Sequence, residues 1–412
     1  MEIKKEQGTT TFKTRKSSWL VYIGPAFITS ALVLGPGSLT LSSKIGAIYG
    51  NQLIWIVLVA ILLMVAFTEM STRIGIASHT SFIQLIQQRW GKWGAILAGV
   101  GAFLVTASFQ AGNSIGIGVA SSMILGGAPV MYIVLFTLAG ALLLFAKDFY
   151  TVLEKLMIGL VLLMLASFLL TVVLTKPSVG DISTGLIPTV PTGSLPLIIA
   201  FTATCFSVVG ASYQSYLVQE KGWTRNNASQ GIKESFIGIF LLGLISLLVM
   251  IAAAAILKPE GIQINTVAEM GQALSPIYGD WATIIFMLGL FGASFSSIMG
   301  NATIGGAMLS DGIGIGHSLS NKKVKLAIIG VMLFGSIVAI VFGSAPIELI
   351  IFAQAVTIVI VPFIAIALLQ LANDEQLMGD LKNTPLKNGI AIVGIIILIL
   401  LAINNVYSIF IQ

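Results

Sequence analysis

The stretch VLGPGSLTLSSKIGAIYG, from Val33 to Gly50, lies inside the first long hydrophobic segment of the chain. Gly35, Pro36 and Gly37 stand side by side where a continuous helix would be expected. Proline removes a backbone donor, and glycine lowers the cost of unwinding. Inside a membrane, unpaired backbone groups are tolerated only where they line a cavity or are buried in protein. The stretch therefore predicts a broken first helix, either an unwound segment that lines a site or a simple proline kink.

The composition is that of a membrane protein. Of the 412 residues, 57% are hydrophobic and 9% are charged, whereas soluble domains carry about 25% charged residues. The single Cys205 excludes an intramolecular disulfide. The sequence has no phosphate-binding GxxxxGK[ST] loop and no stretch long enough for a soluble catalytic module. We therefore expect neither an enzyme nor a nucleic-acid-binding protein, and no cofactor.

Eleven apolar stretches are long enough to cross about 30 Å of hydrocarbon. They are far longer than barrel strands and do not alternate, so they predict an all-α membrane protein. We expect a polar cytoplasmic tail at 1–18 and a single transmembrane domain over 19–412. The stretches fall near residues 19–48, 53–77, 95–123, 128–147, 150–175, 195–220, 231–257, 281–309, 324–344, 347–371 and 388–411.

Lysine and arginine predict the orientation in the cell membrane. With the N-terminus in the cytoplasm, eighteen of the 21 basic residues lie on the inner side. Only Lys176 and Lys258 fall in outer loops, and Lys44 lies near the outer end of the first helix. Such an excess is the positive-inside pattern of cytoplasmic loops. An odd number of helices then places the C-terminus outside.

The sixth apolar stretch contains a second interruption. It reads FTATCFSVVGASYQSYLVQEKGW, from Phe201 to Trp223, and its centre at Ser207–Ser212 is small and polar with one glycine. Helices 1 and 6 occupy matching positions in two five-helix halves. Interrupted helices at corresponding positions indicate a transporter with its substrate site near the middle of the bilayer.

Four segments resemble the Nramp (natural resistance-associated macrophage protein) family of divalent-metal transporters. They are GPAFITSALVLGPGSLT in helix 1, YTVLEKLMIGLVL in helix 5, LFGASFSSIMGNATIGGAMLSDG in helix 8 and AQAVTIVIVPFIAIALLQLANDEQLMG in and after helix 10. The resemblance implies a LeuT-like fold with broken helices 1 and 6. Helices 1–5 and 6–10 would form two inverted repeats, at about 19–175 and 195–371, with an extra helix at 388–411.

The metal-binding motifs of the family are not retained. The family's Asp-Pro-Gly-Asn is replaced by Gly35-Pro36-Gly37-Ser38. Its helix 6 Met-Pro-His falls on Ser207-Val208-Val209, and a second histidine falls on Gln214. The glutamate of the family's proton path falls near Gln110. The sequence therefore predicts no set of metal ligands of the family type.

Small polar residues are left as candidates for the site. Serines in membrane helices also serve close packing and bond back to their own helix. The candidates for substrate binding are Gly35, Pro36, Gly37, Ser38, Thr204, Ser207, Gly210 and Gln354. The candidates for coupling or for lining the site are Gln110, Asn113, Gln214 and Asn301.

Two substrates remain open for a monomeric secondary active transporter working by alternating access. The neutral site and the ends of broken helices favour a small zwitterionic or anionic organic solute. The alternative is a hard, partly hydrated divalent cation such as Mg²⁺ or Mn²⁺, held by neutral oxygens. A sensor that does not transport is a third, weaker alternative.

One embedded acid is expected to be structural. Glu69 precedes Arg73 by four residues at the inner end of helix 2. This spacing places both side chains on one helix face. The pair therefore predicts a buried ion pair rather than a substrate site.

Overall fold

The computed structural model describes most of the chain, and every regular secondary-structure element in the described part is a helix. It covers residues 25–265, 269, 271, 275, 279–343 and 347–410, without the side chains of 179, 347–359, 405, 406 and 408–410. The predicted tail at 1–18 lies outside these residues.

The long helices follow the predicted stretches, and the first and sixth are each divided in two. They are α1a (Pro25–Val33), α1b (Pro36–Tyr49), α2 (Ile54–Ala77), α3 (Phe82–Leu125), α4 (Pro129–Leu143), α5 (Phe149–Thr175), α6a (Leu195–Cys205), α6b (Val208–Glu220), α7 (Ala228–Ile256), α8 (Asp280–Gly312), α9 (Lys322–Phe342), α10 (Ile347–Ala372) and α11 (Pro385–Phe410).

Not every helix is a full-length apolar span. Eight helical segments within the described residues are long and apolar enough to cross a membrane, or nine if the bent pair Ile360–Ala372 and Glu375–Leu381 forms one span. The count falls below eleven because α1b continues into α2 through the short turn Gly50–Leu53 and is counted with it. In addition, α4 has only 15 residues. The all-α membrane fold is confirmed.

Both predicted breaks are present. Helix 1 is interrupted at Leu34 and Gly35, and Gly35 has an extended backbone with φ −105° and ψ 177°. Pro36 then opens α1b, where its missing N–H costs nothing. Helix 6 is interrupted at Phe206 and Ser207, and Ser207 also has an extended backbone.

Helices α3 and α8 cross so closely that their backbones touch at glycines. A methyl group on Gly99 would lie 2.6 Å from the carbonyl oxygen of Met308 and 2.9 Å from the Cα of Gly312. Both distances are shorter than ordinary van der Waals contact. The crossing therefore depends on glycine at this position, and it fixes the depth of α3 against α8.

Buried ions tie α2 to the beginning of α11. Glu69 accepts from Arg73 through Nε at 2.9 Å and Nη2 at 2.8 Å, and from Lys387 Nζ at 2.7 Å. Arg73 also donates to Asn383 Oδ1 at 2.6 Å and to the carbonyl of Leu381. Glu69 and Arg73 are 4% and 2% exposed. The predicted ion pair is confirmed, and it has a structural role.

We predict that Gly99→Ala destabilises the protein, because the new methyl group meets rigid backbone atoms. Overpacking of this kind costs about 1–3 kcal/mol. The measurement is thermal unfolding in detergent. Gly112→Ala, also on α3, is the matched control, because in the described part of the chain a methyl group there has no neighbour within 4 Å beyond its own helix. Equal midpoints for both variants would contradict the prediction.

Candidate substrate site at the two helix breaks

The breaks in helices 1 and 6 face one small cavity of about 50 Å³. Helices α3, α8 and α10 complete its wall. The lining residues are Leu32, Val33, Gly35, Gly37, Ser38, Val105, Phe109, Asn113, Ala203, Thr204, Ser207, Val208, Val209, Asn301 and Val361.

Serines from α8 donate hydrogen bonds to the carbonyl groups at the C-terminal end of α1a. Ser296 Oγ donates to the carbonyl of Ala31 at 2.9 Å, and Ser297 Oγ donates to the carbonyl of Leu32 at 3.3 Å. The carbonyl of Val33 accepts from Gly35 N at 3.0 Å and from Ser38 Oγ at 3.4 Å. The break is thus stabilised by polar partners around it, and the proton of Ser38 is donated to the backbone.

The break in helix 6 is stabilised by its own side chains. Ser207 Oγ accepts from the backbone N–H of Gly210 at 3.3 Å and caps α6b. Thr204 Oγ1 donates to the carbonyls of Phe201 at 3.0 Å and Ala200 at 3.2 Å. The hydroxyl protons at Thr204 and Ser38 are donated within the protein, so these two oxygens can act towards a ligand only as acceptors.

Seven of the twelve candidate residues line this cavity. They are Gly35, Gly37, Ser38, Asn113, Thr204, Ser207 and Asn301. Val208 and Val209 stand where the resemblance places the family's Pro-His. Of the described residues at the cavity, the sequence does not single out the other apolar ones, Leu32, Val33, Val105, Phe109, Ala203 and Val361. Apolar residues carry no signal of their own in a hydrophobic helix, and only the tertiary packing shows which of them face the site.

Four other candidates lie beside the cavity wall. Pro36 and Gly210 support the breaks, and a methyl group on Gly210 would lie 2.8 Å from the side chain of Val33. Gln110 donates to the carbonyl of Ile298 at 2.8 Å. Gln214 accepts from Thr29 Oγ1 on α1a. The side chain of Gln354 lies outside the described residues, so its role stays a prediction, as do the roles of the other candidates.

The cavity wall is electrically neutral. None of the described residues that line it is ionisable, and this part of the chain has no cluster of three or more His, Cys, Asp or Glu side chains that could hold a metal ion. The available ligands are therefore hydroxyl and amide oxygens and the backbone.

A titratable pair lies at the C-terminal end of α8. His317 Nδ1 is 3.6 Å from the carboxylate of Asp311, which also accepts from Tyr216 Oη at 2.8 Å. Asp311 raises the pKa of His317 above its ordinary value, whereas partial burial acts in the opposite direction. The hydrogen bond from Tyr216 to Asp311 joins α6b to α8 outside the cavity.

The fold and the paired breaks define a multi-pass membrane transporter with a LeuT-like fold. A solved structure of MhsT in complex with L-phenylalanine shares it with a TM-score of 0.58 at 16% identity, over 94% of this chain and 99% of that one. The crystal structure of the Eremococcus coleocola manganese transporter, in complex with an aromatic bis-isothiourea substituted compound, has a TM-score of 0.80 at 21% identity. It matches 98% of this chain and 89% of that one.

Sequence comparison gives the family. A family model described as "Natural resistance-associated macrophage protein-like" matches residues 26–408. The divalent metal cation transporter MntH of Erwinia tasmaniensis is 24% identical over 398 residues, which cover 93% of this chain and 92% of that protein. The chain belongs to the Nramp family.

We predict that Gly37→Ala weakens substrate binding without harming the fold. Gly37 lines the cavity, and in the described part of the chain a methyl group on it meets no atom within 4 Å beyond its own helix. Alanine favours the helix by about 1 kcal/mol, yet it fills part of a very small space. We expect an intact, monodisperse protein with apparent substrate affinity lower by about tenfold, the scale on which disturbed metal sites lose affinity.

Transport kinetics and size-exclusion chromatography measure the two effects separately. Gly112→Ala again serves as control, since it adds the same methyl group away from the cavity. Unchanged transport by Gly37→Ala would show that the substrate binds elsewhere.

Proposed function

We propose that this protein is a secondary active transporter of a hard divalent cation, with Mg²⁺ the favoured substrate. The cation keeps part of its water shell and crosses by alternating access through a monomer. Support comes from the relatives, one named as a divalent metal cation transporter and one as a manganese transporter. Family membership alone does not fix the substrate, because function depends on the site.

The main support for this proposal is the size of the cavity. A buried water needs roughly 10–15 Å³ of such space, so the cavity of about 50 Å³ has room for roughly three to five waters or one partly hydrated ion. Sites for organic ligands are typically about 300–1,000 Å³. The sequence alone favours an organic solute, whereas the cavity and the relatives favour the alternative of a metal ion.

The oxygen chemistry of the site favours hard cations such as Mg²⁺ over the later transition metals. Magnesium prefers oxygen ligands and gives up its waters reluctantly, so it usually keeps several of them. Transition metals gain most from nitrogen and sulfur ligands, and none of these side chains lines the cavity in the described residues. Retained waters also reduce the cost of bringing a charge into a site without a carboxylate.

The proposed orientation has a cytoplasmic N-terminus and an external C-terminus in the cell membrane. Seven ion pairs in the described part of the chain, among them Arg89–Asp374 and Lys221–Glu154, all join residues on the predicted cytoplasmic side. Charged groups concentrated at one end of the helices support this orientation, because cytoplasmic loops are the basic ones.

Uptake into proteoliposomes tests the proposed substrate. We expect saturable Mg²⁺ entry, measured by an Mg²⁺ indicator enclosed in the liposomes. We expect Mn²⁺ to compete only weakly with Mg²⁺, because neutral oxygen ligands give little preference for Mn²⁺. Protein-free liposomes give the leak, and the Gly112→Ala variant controls for handling. A neutral amino acid and a monocarboxylate are tested in parallel.

Three results would overturn the proposal. Uptake of the organic solute without any divalent cation would favour the solute transporter. Selective Mn²⁺ uptake at micromolar concentrations that Mg²⁺ does not inhibit would indicate a transition-metal site. Binding of Mg²⁺ without flux would indicate a sensor.

A further inference from the structure

The glycine at position 35 makes room for a side chain from another helix. A methyl group on Gly35 would lie 3.0 Å from Asn113 Oδ1 and 2.9 Å from Ser297 Oγ. The amide oxygen of Asn113 therefore lies 3.0 Å from the point where a larger residue at position 35 would begin its own side chain, which is tighter than ordinary contact. Asn113 is 3% exposed and lines the cavity.

A chain of hydrogen bonds determines which end of the Asn113 amide faces the cavity. Gln110 Nε2 donates to the backbone carbonyl of Ile298 at 2.8 Å. A carbonyl can only accept, so the NH₂ group of Gln110 must face Ile298 and its Oε1 must face Asn113. Asn113 Nδ2 then donates to this Oε1 at 3.1 Å. The oxygen of Asn113 is consequently left towards Gly35.

The orientation of the Asn113 amide is determined by its hydrogen-bond partners and is not an arbitrary choice of rotamer. Oxygen and nitrogen of an amide are assigned from the network around them, and here the network ends at a backbone group that has one polarity. Gln110 is fully buried, so water does not compete for its amide. The chain of hydrogen bonds from Ile298 through Gln110 to Asn113 therefore presents one neutral, oriented amide oxygen to the cavity.

We propose that Asn113 Oδ1 is a direct ligand of the transported cation and that Gln110 is its positioning residue. The role of Asn113 rests on the proposed transport of a divalent cation. Its amide oxygen takes the place beside the helix 1 break that glycine leaves empty. Hard cations accept such neutral amide oxygens alongside carboxylates and water.

An amide ligand has a consequence for transport. Asn113 offers a dipole instead of a full negative charge, so the cation is held more weakly than by a carboxylate and keeps more of its water. The neutral site also carries no proton that must leave before the cation binds. Both properties suit an abundant hard cation, because the transport of such an ion depends more on its release from the site than on tight binding.

Asn113 variants test the ligand. We expect Asn113→Ala to raise the KM for Mg²⁺ by about tenfold or more, with kcat changed little. A loss of this order is what metal sites show when the residues that support them are mutated. Asn113→Asp adds a charge at the same place, and we expect it to improve Mn²⁺ competition against Mg²⁺. Thermal unfolding and monodispersity confirm that each variant is folded, and Gly112→Ala is the neighbouring control.

Gln110 variants test the positioning role. Gln110→Met removes both hydrogen bonds and should raise the KM for Mg²⁺ in the same direction as Asn113→Ala. Gln110→Glu retains an acceptor for Asn113 Nδ2 and should restore part of the affinity. Gln110→Met combined with Asn113→Ala should be no worse than Asn113→Ala alone, because a positioning residue acts only through its partner.

The outcomes separate this inference from the proposed function. If the unmodified protein carries no divalent cation and binds none by calorimetry, both fail together. If it carries Mg²⁺ and the folded Asn113→Ala and Asn113→Asp variants keep its KM and its Mn²⁺ competition, only the ligand role of Asn113 is wrong. A Gln110→Met effect that persists in full on top of Asn113→Ala would overturn the positioning role.

Discussion

Every feature of the site follows from one constraint, the need of backbone groups at membrane depth for polar partners. Breaking helices 1 and 6 exposes carbonyls and amides that lipid cannot satisfy. Side chains supply the missing partners. Ser296 and Ser297 of the neighbouring α8 donate to the carbonyls at the end of α1a, and Ser207 at the helix 6 break caps α6b. The same polar groups that satisfy the breaks enclose the cavity between them, so the structural solution and the binding site cannot be separated.

Charge is kept away from this centre. Glu69, Arg73 and Lys387 neutralise one another at the end of α2, and Asp311 is engaged with Tyr216 and His317. Within the described residues the cavity wall is left with hydroxyls, amides and apolar side chains. A relative of divalent-metal transporters thus has their fold, while the described residues that line its cavity carry no charge. The remaining oxygens suit a cation that arrives with part of its water.

The sequence predicts the helices and the breaks well because both signals are local. Apolar length defines each span, and Gly35-Pro36-Gly37 interrupts the first one whatever surrounds it. The Glu69–Arg73 pair is equally local, since one helix turn separates the two residues. The volume of the cavity is not local. The sequence therefore offers only the neutral residues and the broken helix ends, and these favour an organic solute. The relay from Ile298 through Gln110 to Asn113 is also invisible in the sequence, because it depends on how deeply α3 crosses α8 at Gly99.

The most direct test of the neutral-oxygen site is to locate a bound cation. Crystals of the protein soaked with Mn²⁺ as an anomalous scatterer, with Mg²⁺ as competitor, would show where the ion lies. The account predicts one peak in the cavity between the two breaks, beside the amide oxygen of Asn113 and with waters in its shell, that Mg²⁺ displaces. A peak at Asp311 or elsewhere outside the cavity, with the cavity unoccupied at saturating Mn²⁺, would contradict it.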